Sequence, residues 1–344
     1  MKHIIFSIVI FHFIIIGNAQ DKIIFYNANW KKVDQSEGVY FSLVNKVDSL
    51  WLRQDYYSNN RKLQETGYYE DSSTKIKVGL HTYYHPNGIP KHLLNYTNNI
   101  INGSSVEYYS NGMIMDSTNY IYGVPVNICS KWYPSGNPKL EMRLDSMREG
   151  SGIVIGWFDN GVVSFKGRLE HGFRKIGPWT YYHENGNKAS VVNYPKTNGE
   201  LLYNSTEIKY DKFESFSYDS SIKYISKICY DENGIEQNAC EIVNSDALYY
   251  KNTNFWHQYL EGKVTTILRG FYLQGSPIIY TLYFSIGAGG QADYVLLDND
   301  GNVDLDRNIK NLIKFSHNWT PAINNNRKVP TDFLQRIVIM SSGF

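Results

Sequence analysis

The stretch TYYHENG (residues 180–186) governs how most of this chain folds, because close copies of it recur. TYYHPNG occupies residues 82–88 and EYYSNG occupies residues 107–112. Aligned on their last glycine, five copies stand 24, 24, 25 and 25 residues apart. A fixed period of this size is typical of a repeat architecture. The aromatic pairs and turn glycines that define the copies are Tyr83, Tyr84, Gly88; Tyr108, Tyr109, Gly112; Trp132, Tyr133, Gly136; Trp157, Phe158, Gly161; and Tyr181, Tyr182, Gly186.

Each copy predicts a β-hairpin. Asn-Gly between aromatic runs is a strong hairpin signal, because the tight turn needs positive φ at both central residues. A second short strand follows, such as IPKHLLNY (residues 89–96), and then a second turn such as NNIING (residues 98–103). Since neighbouring strand residues point to opposite faces, one member of each aromatic pair is expected to stack on adjacent copies. The other member is expected to face the second side of the ribbon.

Weaker copies flank the five. DYYSNNRKLQETG (residues 55–67) has Asn60 in the glycine position, and CYDENG (residues 229–234) lies two periods after Gly186. The copy expected between them, near residues 201–210, has lost its turn. Degenerate end copies are typical of a stack that must be capped.

The pattern resembles the bacterial variant of the MORN repeat, written G-x-W-x-x-Y-Y-x-x-N-G. In this chain it stands as GPWTYYHENGNKA (residues 177–189) and GLHTYYHPNGIPK (residues 79–91). The resemblance covers roughly residues 55–199. It implies a β-meander ribbon used as a binding scaffold, and it implies no chemistry.

The N-terminus predicts export. MKHIIFSIVIFHFIIIGNAQ combines one lysine, a short apolar run and small residues near Ala19, which together predict a cleaved signal peptide at residues 1–19. No later stretch is apolar enough to predict a membrane span after cleavage. The formal net charge of +1 falls to zero once Lys2 is removed. A neutral surface argues against nucleic acid as a partner.

Three cysteines remain in an oxidising compartment. Cys229 and Cys240 flank a predicted hairpin and would fall opposite each other, so a disulfide between them is one of two open alternatives. Cys129 lies beside an aromatic pair, where a small buried residue is the simplest interpretation.

The repeat pattern stops near Cys240, and the sequence that follows has a different pattern of apolar and polar residues. Residues 247–262 are compatible with a helix, and residues 277–287 and 292–298 predict two strands. Residues 304–319 carry Leu305, Ile309, Leu312 and Ile313 at helical spacing, with Asp304 as the expected N-cap. Residues 320–330 predict a loop, and residues 332–340 predict a last strand. The order is that of a small α+β unit.

Residues 275–340 resemble the C-terminal domain of TonB energy transducers. The residues that carry the resemblance are the strand pair, Leu305-Asp306, Trp319-Thr320-Pro321 and the segment from Asn326 to Pro330. The resemblance implies a domain that captures an extended peptide of an outer-membrane receptor by strand addition. The edge expected to receive the peptide comprises Ile337, Val338, Ile339 and Met340, although packing of these residues on the preceding helix is the competing interpretation. TonB itself has an uncleaved anchor and a Pro-rich spacer, where this chain has a signal peptide and repeats.

No catalytic, cofactor or metal site is predicted. His85 and His183 occupy the same repeat position about 40 Å apart, and His81 lies about 13 Å from His85, so no pair shares an ion and all are expected to face solvent. An EF-hand loop starting at Asp298 would need Gly and Glu where Val303 and Ile309 stand. Motifs of hydrolases, P-loops and redox dithiols are absent from the sequence.

The fold class expected is mainly β: a meander of hairpin repeats followed by a small α+β, TonB-like domain. The expected divisions are a signal peptide (1–19), an N-terminal leader (20–54), repeats (55–199), a degenerate connector (200–243) and the C-terminal domain (244–344). The leading hypothesis is a non-enzymatic protein of the periplasm or outer envelope whose C-terminal domain docks an envelope protein or peptide, linked to outer-membrane transport. The alternative is that the ribbon itself binds glycan or envelope material. A dimer through open sheet edges stays an open alternative.

Overall fold

The computed structural model describes residues 23–145, 150–170, 173–196, 224–238, 240, 244–249, 253–271, 278–298, 303–317 and 319–339. The predicted signal peptide lies outside these residues. Within them, no helix is both long enough and apolar enough to cross a membrane.

Seventeen strands form one antiparallel sheet, called the ribbon below. Aromatic and β-branched residues recur in most of its strands, as expected for pleated, half-buried segments. A short 3-10 helix (Gln35–Glu37) interrupts the first strands. The strands are β1 (Ile24–Tyr26), β2 (Lys32–Val33), β3 (Tyr40–Val47), β4 (Leu50–Tyr57), β5 (Leu63–Tyr69), β6 (Lys77–Tyr84), β7 (Pro90–Thr97), β8 (Ile100–Tyr108), β9 (Ile114–Ile121), β10 (Val124–Trp132), β11 (Pro138–Leu144), β12 (Gly152–Trp157), β13 (Val163–Glu170), β14 (Arg174–Tyr182), β15 (Lys188–Tyr194), β16 (Ser226–Tyr230) and β17 (Glu236–Gln237).

From β3 to β17 each strand pairs with the next one along the chain, so the predicted meander of hairpins is confirmed. The sheet begins earlier than the sequence suggested. Residues 20–54, expected to be a leader, contribute β1 to β3 and most of β4, and β1 folds back on both β2 and β3. The first hairpins therefore carry too little of the repeat signature to be recognised.

The end of the ribbon also departs from expectation. β15 pairs directly with β16, with Ser190 opposite Cys229. The hairpin of Gly234 is therefore the immediate neighbour of the hairpin of Gly186, and no further copy lies between them in the sheet. Residues 201–210, where that copy was expected, lie outside the described residues.

Two kinds of turn alternate along the ribbon. At one end Gly88 has φ +90° and donates to the His85 carbonyl, while Asn87 does not take a positive φ. The expectation of positive φ at both Asn and Gly was therefore wrong: the glycine alone is left-handed, which is the three-residue loop with a bulge. Turns with two positive-φ residues occur at the opposite end, as at Asn98 and Asn99. In the hairpin of residues 57–62, Arg61 rather than Asn60 takes the glycine's conformation.

The C-terminal unit has the predicted order of two strands, a helix and a last strand, with additions. Residues 320–330, expected to be a loop, contain a hairpin that turns at Asn325 and Asn326, both at positive φ. Asp304 lies inside the first turn of its helix and not at the N-cap position. The elements are β18 (Leu248–Tyr249), α1 (Thr253–Leu268), β19 (Ile278–Ile286), β20 (Ala292–Asp298), α2 (Val303–Lys314), β21 (Trp319–Thr320), β22 (Ala322–Asn324), β23 (Arg327–Val329) and β24 (Thr331–Ile339).

A three-stranded antiparallel sheet in the order β20-β19-β24 carries this unit. Its core face presents Tyr280, Leu282, Phe284 and Ile286, each fully buried, against the helices. The predicted apolar positions of α2 pack on the same core. The opposite face of β19, which carries Tyr283, turns toward the ribbon.

Candidate functional site

The ribbon has an inner face, which carries its buried residues and receives the C-terminal unit, and an outer face. On the inner face, the position three residues before each turn glycine holds a ring in the five strong copies. Tyr109 donates its hydroxyl to the Trp132 carbonyl at 2.8 Å, and Tyr133 donates to the Trp157 carbonyl at 2.7 Å. These two tyrosines thus tie their hairpins to the next ones.

The aromatic pairs do not all lie at the same distance from the turn glycine. The pairs at Tyr83 and Tyr181 begin five residues before it, and the other three pairs begin four residues before it. The buried member is the second residue of the pair at Tyr109, Tyr133 and Phe158, but the first at Tyr181. In the copies that read YYH, the histidine takes the ring position before the turn. This explains why His85 is buried rather than solvent-facing, with Nε2 at 2.9 Å from the Tyr108 carbonyl.

The turn asparagines form a second link between hairpins. Asn87 donates through Nδ2 to the Ser110 carbonyl at 2.8 Å, and its Oδ1 accepts from the Ile89 backbone at 3.0 Å. Asparagine is therefore suited to this position because one side chain both shapes its own turn and bonds to the next. The same Nδ2 bond joins Asn60 to Pro86, Asn111 to Pro134, Asn160 to Glu184 and Asn185 to Glu232.

A β-bulge follows each turn of the five strong copies and re-aims one residue. The register shifts between Tyr83 and Tyr84 and at the equivalent step of each later copy. Bulges commonly redirect a side chain out of the regular alternation. Three of these bulge residues contact the C-terminal unit, and they were not predicted because alternation in the sequence does not locate a bulge. The bulge residues are Lys91, Met115, Lys139, Ser164 and Ala189.

Asp298, at the end of β20, lies close to two basic side chains of the ribbon. The Lys91 ammonium lies 3.4 Å from one of its oxygens, and His85 Nδ1 lies 3.0 Å from the other. Two repeats further along, Lys139 pairs with Asp332 at the start of β24. Between these ion pairs the rings of Tyr109 and Tyr283 pack with centroids 5.1 Å apart.

Arg327 makes the deepest contact between the two parts. It is 4% exposed and donates to the Ser164 carbonyl and hydroxyl, both at 2.7 Å, and to the Tyr182 carbonyl at 3.0 Å. Its guanidinium lies 5.3 Å from the Phe158 ring and 5.4 Å from the Tyr181 ring. Burial lowers the pKa of Arg327 to about 10, so the group is still a cation at neutral pH.

Cys229 and Cys240 form a disulfide whose Cα atoms are 5.5 Å apart. Asn326, in the turn that precedes Arg327, donates to Cys229 Sγ at 3.2 Å, so the disulfide lies beside the docked hairpin. Cys129 is a buried free cysteine, and burial raises the pKa of its thiol to about 11.

The residues predicted to receive a peptide lie on β24. Within the described residues β24 pairs only with β19, so its other side is an edge. Ile339 is buried and Ile337 packs against the helical core, whereas Val338 is 46% exposed. Met340 lies outside the described residues. Leu334, 75% exposed, adds an apolar position that the sequence analysis missed.

The early hairpins hold a buried ionic cluster. His81, expected to face solvent, is fully buried with Nδ1 at 3.0 Å from Glu65 and Nε2 at 2.9 Å from the Tyr68 carbonyl. Lys77 lies 3.1 Å from the same carboxylate. Burial by itself would raise the pKa of Glu65, but the bonds from His81 and Lys77 lower it to about 2. This cluster stabilises charge inside the ribbon.

Across the described ranges, no group of three or more His, Cys, Asp or Glu side chains is placed to hold a metal ion. In the acidic segment that resembles a calcium loop, Asp304 pairs with Arg307 at 3.1 Å on the surface of α2.

Comparison with protein families finds the repeat in two places. The MORN repeat variant matches residues 77–98 and 175–194. These segments are the hairpins β6–β7 and β14–β15, which carry TYYHPNG and TYYHENG. No curated protein matches the chain.

Proposed function

We propose that this chain is a non-catalytic, exported binding protein of the bacterial envelope. The MORN-like ribbon serves as its scaffold, and the C-terminal unit docks a protein partner by adding an extended segment to β24. The observation that carries the proposal is the open side of β24. Main-chain hydrogen bonds along such an edge supply affinity, while alternating side chains supply specificity.

The backbone of β24 presents a suitable edge. The Gln335 side chain donates to the Arg336 carbonyl at 2.9 Å, which indicates that this carbonyl points away from β19. Because backbone groups of a strand alternate in direction, the N–H and C=O of Leu334 and Val338 then point outward as well. Their side chains, both exposed, would contact the incoming segment.

The docked position of the C-terminal unit supports a scaffold role for the ribbon. Contacts at Lys91, Lys139 and Ser164 come from three different repeats and fix the unit along the ribbon. Among the strands that the structure describes, only β19 pairs with β24, so the ribbon holds the unit without occupying this edge.

The resemblance to the TonB C-terminal domain indicates which class of protein the partner belongs to. The order of elements from β19 to β24, with Trp319 buried after the helix, is compatible with that family. We therefore propose a segment of an outer-membrane receptor as the ligand. The competing hypothesis was that exposed aromatic residues of the repeats bind glycan. Four of these aromatic residues are buried and therefore not available to a ligand: Tyr109, Tyr133, Phe158 and Tyr181.

The test uses the mature chain, residues 20–344, with a photo-crosslinking amino acid at Leu334 and, as control, at the exposed outer-face residue Leu80. In envelope extract we expect position 334 to crosslink to one segment of an outer-membrane protein and position 80 not to. Val338→Pro should abolish the crosslink, because proline removes an outward N–H at small cost to an edge strand. Equal crosslinks from both positions, or a crosslink insensitive to Val338→Pro, would refute strand addition.

A further inference from the structure

A cavity of about 200 Å³ opens on the inner face of the ribbon, around the hairpins of Gly112 and Gly136. Its lining combines an apolar floor with polar groups. Leu94, Met142 and the ring of Tyr120 contribute to the floor. The cavity takes no part in the contacts with β24, so a ligand bound there is independent of the proposed function.

The repeat itself explains why the cavity exists. Seven residues before the turn glycine, the two copies that match the family carry a ring, His81 or Trp179, and both rings are buried. Each ring lies over a glycine: a Cβ on Gly167 would come within 2.2 Å of Trp179. In the copy of Gly136 this position is Cys129, and Thr118 lies beside it on the neighbouring strand β9 and also lines the cavity. Two small side chains, Cys129 and Thr118, therefore stand where the two family-matching copies place a ring over a glycine.

Four polar side chains line the cavity in one row across β7 to β10. The register places His92 opposite Glu107, Glu107 opposite Asp116, and Asp116 opposite Lys131. Side chains opposite each other on one face of a sheet lie about 5 Å apart. The row thus offers several hydrogen-bonding groups to one small ligand.

Most of these groups are already oriented. Lys131 Nζ lies 3.6 Å from Asp116, and Thr118 donates to Asp116 at 2.8 Å. His92 Nε2 lies 3.1 Å from the Ser105 hydroxyl, and burial lowers the pKa of His92. A set of fixed donors and acceptors above an apolar floor is the usual composition of a small-molecule site.

The chemistry of the lining selects among ligands. The two carboxylates, Glu107 and Asp116, disfavour an anionic ligand. A wholly apolar ligand would displace water from these charged side chains and offer them no hydrogen bonds in return. A polyhydroxylated ring fits both demands, since its hydroxyls bond to carboxylate and ammonium groups while its C–H face lies on Tyr120 and Leu94. We propose that this cavity binds a single pyranose ring, either a free sugar or the terminal residue of a glycan.

The first test titrates D-glucose, D-galactose and N-acetyl-D-glucosamine, each as free sugar and methyl glycoside, into the full mature chain by calorimetry and saturation-transfer NMR. We expect at least one to bind with a Kd between about 10 μM and a few mM, the range of weak small-ligand complexes. Equal binding of the glycoside would indicate a glycan terminus, and preference for the free sugar would indicate a monosaccharide. Failure of every sugar to bind would overturn the proposal.

Two variants locate the site. Cys129→Trp places a large ring in the cavity and should eliminate binding, while the matched control Ser104→Trp, at an exposed outer-face position, should not. Asp116→Asn should weaken binding at least about tenfold, since it removes a charged acceptor. Binding that survives both cavity variants would place the sugar elsewhere and refute the assignment.

A third readout needs no substitution. Cys129 is the one cysteine of three outside the disulfide, and it lines the cavity. Bound sugar should slow its modification by methyl methanethiosulfonate several-fold. An unchanged rate at saturating sugar would contradict occupancy of the cavity.

Discussion

The buried guanidinium of Arg327 donates to both the carbonyl and the hydroxyl of Ser164, at 2.7 Å each. Ser164 is the bulge residue of its hairpin, and Arg327 follows the turn of a hairpin in the C-terminal unit. A β-bulge of the ribbon thus contacts the β22–β23 hairpin of the α+β unit. This pair, with the ion pairs at Lys91 and Lys139, fixes where the unit lies on the repeats.

Arg327→Met should release the C-terminal unit from the ribbon. The change leaves the Ser164 and Tyr182 carbonyls without their buried donor, at a cost of about 2–4 kcal/mol. We expect two separate thermal transitions by calorimetry, and faster proteolysis between residues 240 and 253. The matched control is Lys328→Met, the exposed neighbour, which should leave a single transition. Unchanged cooperativity in Arg327→Met would show that the other contacts suffice.

Asn87→Ala should lower the free energy of unfolding by about 1–2 kcal/mol, because two hydrogen bonds of a turn are lost together. Urea denaturation followed by fluorescence measures it. The exposed asparagine Asn119 on the outer face serves as control, and its change to alanine should stay within about 0.5 kcal/mol. Equal effects at the two positions would argue against a link between hairpins.

Acid should destabilise the ribbon through Glu65. Its pKa is lowered from 4.5 to about 2 in the folded chain, so its stabilising contribution is complete above pH 4.5 and is lost as the pH falls toward 2. The shift corresponds to about 3 kcal/mol. Stability measured from pH 7 to pH 2 should fall less steeply in Glu65→Gln than in the native chain. Glu141→Gln, which alters an exposed pair with Arg143, should keep the native slope.

Gly167→Ala should be among the most damaging single-methyl additions. The new Cβ would lie 2.2 Å from the Trp179 ring, which is buried and unable to move aside. Overpacking of this kind costs about 1–3 kcal/mol, and we expect the upper end in a thermal melt. Gly262→Ala meets no atom within 4 Å and lies in α1, so it should instead raise stability by up to about 1 kcal/mol. Partial recovery in the double variant Gly167→Ala, Trp179→Leu would assign the effect to the ring.

The repeat period, the hairpins and the last α+β order could be predicted from sequence, because each depends on local signals. Gly88 and its equivalents mark the loops, and Tyr280 to Ile286 alternate as a strand with one buried face must. The details of the turns could not be predicted. An Asn-Gly pair is compatible with a turn in which Asn87 takes positive φ and with one in which its side chain bonds to the next hairpin. The sequence does not distinguish these two turns, and the structure shows the second, with the Ser110 carbonyl as acceptor.

The burial of His81, His85 and Arg327 likewise came from long-range packing. A histidine or arginine in a polar stretch favours solvent unless a distant group satisfies it, as Glu65, the Tyr108 carbonyl and Ser164 do here. Residue order alone was enough to establish a ribbon of hairpins followed by a second unit, since turn chemistry and hydrophobic alternation act within a few residues. That three of the bulge residues contact this second unit depends on the folded chain, because the pairing of Ser164 with Arg327 joins residues 163 positions apart.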